Sequence, residues 1–233
     1  MEFKAYASSS SGNAYSVSDG ETMLLIECGL TLKKLQKKVG FELSKFAACL
    51  ISHCHADHSK CVNDLVKMGM PVYMSQGTAE ALELEGVEMI EHMEQFQIGS
   101  FDCVAFDVFH DAKEPLGFLI KSRVDGDIFV FATDTVNIRY KFPGLTLLAI
   151  EANYDPAILD RSERMPEKVK HRIENSHMSI DVLCDYLRTM DLSKCREIYL
   201  LHLSDSTSHE GHFLNKVRRF VPDHVKVSAC CKG

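Results

Sequence analysis

The chain has 233 residues, 45% of them hydrophobic and 25% charged, which excludes disorder, collagen and coiled coil as descriptions of the whole. Lys plus Arg number 26 against 33 Asp plus Glu, a formal net charge of −7. That balance argues against a long basic track for nucleic acid, but leaves room for a phosphate held by something other than Lys and Arg. No apolar run approaches the roughly 18 residues of a membrane span. The start, Met-Glu-Phe-Lys, lacks the basic-then-apolar pattern of a secretion signal, so a cytoplasmic protein is expected. The nine cysteines are odd in number and form no C-x-x-C pair, so reduced thiols are expected and the Cys230-Cys231 tail reads as incidental.

In chain order, Phe3–Ala7 and Ala14–Ser18 are short strands flanking a turn-rich loop, Ser8-Ser9-Ser10-Ser11-Gly12-Asn13. That loop reads equally as a flexible turn or as hydroxyls and backbone N–H groups lining a cleft. Met23–Glu27 is a nearly continuous apolar run, the mark of a buried strand. Thr31 caps a helix to about Val39. Ala47–Ser52 is an apolar strand that opens into His53-Cys54-His55-Ala56-Asp57-His58, followed by a helix carrying Val62, Leu65 and Val66. A strand at Pro71–Met74 and a helix at Gln76–Glu85 follow. The middle is β-rich: Phe101–Phe109, then Leu116–Ser122 and Asp127–Ala132 around Asp125-Gly126, a hairpin cue. Leu145–Glu151 reads as a strand, Ala157–Glu174 as helix broken at Pro166, and Ser179–Met190 as an amphipathic helix. Glu197–Leu203 is a buried strand, Glu210–Phe220 a helix and Val225–Ala229 a last strand. The sum is one α/β domain over residues 1–233, with more strands than one modest sheet would use.

The segment from His53 to His58 carries the chemistry. It begins where a buried strand ends, the usual place for function in α/β folds. In extended backbone, residues two apart project to one side, so His53 and His55 can grip one ion while Asp57 and His58 face a second. Neutral imidazole and carboxylate suit zinc, manganese or iron.

The pattern His-x-His-x-Asp-His resembles the signature of the metallo-β-lactamase fold superfamily. The resemblance implies a four-layer αβ/βα sandwich and two divalent ions, zinc or manganese. It implies further ligands in chain order. His110 looks like the third ligand of the first ion, Asp134 like the carboxylate shared by both, and His202 like the last ligand of the second. On its own each has a plainer reading: a loop histidine, a turn residue, a core histidine. Glu27-Cys28-Gly29 departs from the family's usual Asp at the acid that orients the signature loop. Ser-Ser-Gly-Asn, His110-Asp111-Ala112, Pro115-x-Gly117 and Ser176-His177-Met178-Ser179 are similar to small bacterial and phage proteins related to ribonuclease Z and to bacterial phosphodiesterases and exonucleases. That likeness implies phosphodiester hydrolysis by a metal-bridging hydroxide, with Asp57 orienting it and His177 serving the leaving oxygen. The expected substrate is a nucleic-acid end or a small nucleotide, a cyclic nucleotide included, with a thioester hydrolase of the glyoxalase II type as the rival. No membrane partner is expected, and the assembly expected is at most a homodimer. His92, His171 and His224 read as surface groups, and His209 and His212 as a solvated helix face.

Overall fold

The structure is a computed structural model and describes residues 1–230; Cys231 lies outside the described residues. The chain divides into two compact units. One comprises Met1–Asp107 and Ala112–Asp127, the other Val108–Asp111 and Ile128–Cys230.

The first unit opens with strands β1 (Glu2–Ala7), β2 (Ala14–Ser18) and β3 (Met23–Ile26), then helix α1 (Leu32–Lys38). Strand β4 (Ala48–Leu50), helices α2 (Ala56–Ser59) and α3 (Val62–Lys67), strand β5 (Val72–Met74), helix α4 (Gln76–Ala81) and strand β6 (Glu88–Met89) follow. These six strands form one sheet in the order β1-β2-β3-β4-β5-β6. The first three pair antiparallel and the rest parallel. Strands β3 and β4 read as unbroken apolar runs because a parallel strand is covered on both faces. Leu35 of α1 and Leu65 of α3 pack with Leu25, Cys49, Ile51, Val72 and Met74 in one core cluster, which pins the helices over the sheet. The same unit holds an antiparallel meander of β7 (Gln95–Ile98), β8 (Phe101–Asp107) and β9 (Leu116–Ser122).

The second unit is built on four parallel strands: β10 (Ile128–Ala132), β11 (Leu147–Glu151), β12 (Glu197–Leu201) and β13 (Lys226–Ala229). Its helices are α5 (Pro156–Asp160), α6 (Glu167–Ser176), α7 (Ile180–Arg188) and α8 (Glu210–Val217). Pro166 sits at the N-terminus of α6 and separates it from α5, as the sequence indicates. The register pairs Ala132 with Ile150 and Glu151 with Leu201. The C-terminal ends of β10, β11 and β12 therefore lie at one edge, where parallel sheets carry their sites.

The strands fall into two sheets and the chain is mixed α/β, as expected from the strand count. Strands β6 and β7 have no counterpart in the sequence reading. Strand β8 stops at Asp107 rather than Phe109, β12 at Leu201 rather than Leu203, and α8 at Val217 rather than Phe220. Among the described residues no helix is long and apolar enough to cross a membrane.

Candidate metal centre

In the first unit β4 ends at Leu50, and the signature runs from His53 into α2. The His53 Nδ1 lies 2.9 Å from the Ser52 hydroxyl, and its Nε2 lies 3.1 Å from His55 Nδ1. His53 and His55 thus bring one ring nitrogen each together. The His53 and His58 rings approach to 4.2 Å between centroids, so His58 belongs to the same cluster. His58 Nε2 is 3.4 Å from an Asp57 carboxylate oxygen.

Two residues set this loop. Asn13 donates its amide to the Asp57 carbonyl (3.1 Å), and the backbone N–H of Asn13 donates to the same oxygen (2.8 Å). The Asn13 amide nitrogen also lies 3.1 Å from His58 Nε2. The serine-rich turn is therefore a clamp on the ligand loop rather than a loose connection. Gly29 completes it: a Cβ there would fall 1.6 Å from the Asp57 carbonyl oxygen, so only glycine lets the two backbones meet. Glu27, fully buried in left-handed backbone (φ 64°), accepts from the Ser52 N–H at 3.1 Å and lies 3.4 Å from His58 Nδ1. Burial pushes the Glu27 carboxyl above its ordinary value, against the pull of His58 and the Ser52 hydrogen bonds. The longer acid still reaches the loop that the family's Asp would orient.

In the second unit Asp134, His177 and His202 meet around Glu151, to which the sequence assigns no role, and His110 lies beside Asp134 and His177. The His110 Nδ1–H donates to the Ser176 carbonyl (2.8 Å), which orients the ring with Nε2 3.6 Å from Asp134. Asp134 accepts from the Thr133 hydroxyl at 2.8 Å and lies 3.2 Å from His202 Nδ1. Glu151, the last residue of β11, is fully buried and accepts from the N–H groups of Thr135 (2.8 Å) and Met178 (3.1 Å). Its other oxygen accepts from His177 Nδ1 at 2.6 Å and lies 3.3 Å from His202 Nδ1. Asn153 anchors His202 by donating to its carbonyl at 2.9 Å.

Asp134, Glu151, His177 and His202 each offer one ligand atom within 4.8 Å of the others. Burial opposes charge on both partners of the Glu151–His177 pair, yet their mutual attraction prevails. Glu151 is held below its ordinary value and His177 above it. Asp134 and His202 sit in left-handed backbone (φ 46° and 52°), as Glu27 does in the first unit. Such strain at non-glycine residues persists only where surrounding bonds over-determine it, and it clusters at functional sites. Buried imidazoles and carboxylates this dense form the donor set of a divalent transition metal, so the residues present fit such an ion.

Of the groups assigned to the surface, His92 is half exposed and lies 3.3 Å from Asp107. His212 is exposed but not merely solvated, since its Nε2 lies 3.1 Å from the Asp155 carboxylate. Glu151 carries no role in the sequence because a lone acid ending an apolar run is common, and Asn13 is legible only as part of the Ser8–Asn13 loop and the Ser-Ser-Gly-Asn resemblance. The one available signal for Glu151 was its place at the C-terminal end of a buried parallel strand.

Residues 22–203 match the family model described as "Beta-lactamase superfamily domain". The chain is 31% identical over 224 residues to "Exodeoxyribonuclease WalJ" of Streptococcus pneumoniae, covering 88% of this chain and 82% of that protein. It is 28% identical over 219 residues to "Exodeoxyribonuclease YycJ" of Bacillus anthracis, covering 88% and 83%. Among solved structures, the metallo-β-lactamase fold protein YhfI from Bacillus subtilis superposes with a TM-score of 0.75 at 17% identity, over 99% of this chain and 96% of that one. With the family model spanning most of its length, the chain belongs to the β-lactamase superfamily domain family.

Proposed function

We propose that the chain is a metal-dependent hydrolase of phosphodiester bonds that acts on DNA ends in the manner of an exonuclease, its two units working as one catalytic domain. The observation that carries the reading is the pair of half-buried His177 and fully buried Glu151 (2.6 Å) set among the donor residues Asp134 and His202. That it occurs in a chain 31% identical to an exodeoxyribonuclease supports nucleic acid as the substrate. The donor chemistry supports two ions, zinc or manganese. By the resemblance of the signature, His53, His55 and His110 would hold one, Asp57, His58 and His202 the other, and Asp134 would be shared. When bound, such ions acidify a water and neutralise charge on the phosphoryl oxygens.

The protein groups do the rest. Asp57, held at its backbone by Asn13, orients the attacking water. Glu151 fixes the His177 ring through Nδ1–H, which leaves Nε2 to face the substrate. The P–O bond to the leaving group breaks as His177 Nε2–H passes its proton to the departing oxygen. Glu151 steadies the imidazolium and compensates its charge, and so touches the chemistry only through His177.

A substrate panel with the metal-loaded protein tests this reading. End-labelled linear oligodeoxynucleotides should lose terminal mononucleotides, while cyclic mononucleotides and thioesters should turn over far more slowly. Preferential cleavage of the cyclic nucleotide would move the substrate class, and thioester turnover alone would refute phosphodiester chemistry. Because the chain is acidic, oligonucleotide affinity should fall only shallowly with salt compared with a protein gripping many phosphates.

A further inference from the structure

The segments that follow β11 and β12, the strands leading to Glu151 and His202, line an open cavity of about 480 Å³ within the second unit. Its polar lining comes from Asp155, Arg161, Ser162, Ser206 and His212. Asp155 is spent locally: it accepts from the Ala157 N–H at 2.8 Å and lies 3.1 Å from His212 Nε2. The His212 ring is thereby taken up by Asp155 and is not a spare donor. The Arg161 guanidinium and the hydroxyls of Ser162 and Ser206 have no side-chain partner among the described residues. The two loops are tied together beneath the cavity by the bond from Asp155 N–H to the Thr207 carbonyl, 2.8 Å. A guanidinium and two hydroxyls with no side-chain partner are donors lining one space, in a chain whose net charge is −7. That set matches a phosphate dianion, which accepts through three oxygens and pairs with arginine by two parallel bonds.

We propose that this cavity takes a terminal phosphate of the nucleotide substrate, with Arg161 as its ion-pair partner and the hydroxyls of Ser162 and Ser206 as further donors. The inference rests on the phosphodiesterase reading and narrows it, since an enzyme so equipped prefers a phosphorylated strand end to a hydroxyl end. It places the terminal phosphate on the side of the sheet edge served by β11 and β12.

The probes are a thymidine dinucleotide without a terminal phosphate and the same dinucleotide carrying one at its 5′ or its 3′ end. With the metal-loaded full chain, one phosphorylated form should bind about tenfold more tightly than the plain one, the worth of one charge-assisted contact set. In Arg161→Ala that ratio should collapse to near one, with Arg161→Lys keeping part of it, and Ser206→Ala should reduce it. Equilibrium binding and kcat/KM are both read. If the wild type cleaves none of the three but the binding ratio is present and lost in Arg161→Ala, the phosphate site stands and the hydrolase reading falls. If the wild type shows no preference for either phosphorylated form, or Arg161→Ala retains the preference in full, the proposed site is overturned whatever the activity. Since Arg161 is exposed, its replacement leaves the core untouched.

Discussion

Replacing Gly29 with alanine isolates the clamp on the ligand loop by the smallest change available. The added Cβ would lie 1.6 Å from the Asp57 carbonyl oxygen, 2.2 Å from its carbonyl carbon and 2.8 Å from the Asn13 nitrogen. All three are backbone atoms, so no side chain can swing aside. Relief requires the two segments to part by more than an ångström. That breaks the bonds from Asn13 N–H to Asp57 O and from Gly29 N–H to Asn13 O, both 2.8 Å. Two lost hydrogen bonds at about 1 kcal/mol each, with an overpacking cost of about 1–3 kcal/mol, put the loss of stability at roughly 3–5 kcal/mol. For a chain of this size that corresponds to a fall of about 10 °C in Tm. Because the displaced residue is Asp57 and its neighbour is His58, the variant should also bind one divalent ion far more weakly than the other. Thermal unfolding of the chelated protein reads the first effect and a metal titration the second. A variant with wild-type Tm and both ions bound at wild-type affinity would refute the clamp.

Other outcomes follow from the same geometry. His177→Ala should lower kcat for an oligonucleotide about 10²–10⁴-fold, as expected for a general acid, with metal content unchanged; lost metal would mean that His177 is a ligand instead. Glu151→Gln should lower kcat as well. It removes the carboxylate that His177 and His202 share, and should cost about 2 kcal/mol in urea unfolding; unchanged kcat would free His177 of any dependence on Glu151. Asp19 accepts from the Ser100 and Ser122 hydroxyls (2.6 and 2.9 Å) and from the Thr22 N–H (2.9 Å), tying the β2–β3 turn to the β7–β9 meander. Burial alone would raise the Asp19 carboxyl, but these bonds hold it below its ordinary value. Its contribution is therefore present above the unfolded value of about 4 and fades as pH falls through the lower folded value. Asp19→Asn should cost about 1 kcal/mol at neutral pH after allowing for solvent screening, and the gap from wild type should close in strong acid. A gap independent of pH would show that the charge contributes nothing.

The sequence exposes some of these features more readily than others, for physical reasons. His53, His55, Asp57 and His58 are legible because four donor residues fall within six positions at a strand end, a density that chance seldom yields. Long buried strands such as Leu147–Glu151 are legible because every residue is apolar up to the acid. Glu88–Met89 and Gln95–Ile98 are too short and too exposed for alternation to register, so the strand count fell short. Glu151 escaped because its role depends on partners 16, 26, 27 and 51 residues away in the chain, whose convergence no local pattern encodes. Asn13 acts on Asp57 across 44 residues, so the turn-forming residue and the positioning residue look alike in sequence. The departure at Glu27 was legible as a substitution, while its reach to Ser52 and His58 was not.

Titrating metal into the chelated protein while following hydrolysis of bis-p-nitrophenyl phosphate tests the central claim most directly. No turnover is expected without metal, and activity should rise with added zinc or manganese until it levels off at two ions per chain. Undiminished hydrolysis in the chelated protein, or two tightly bound ions with no cleavage of any phosphodiester, would contradict it.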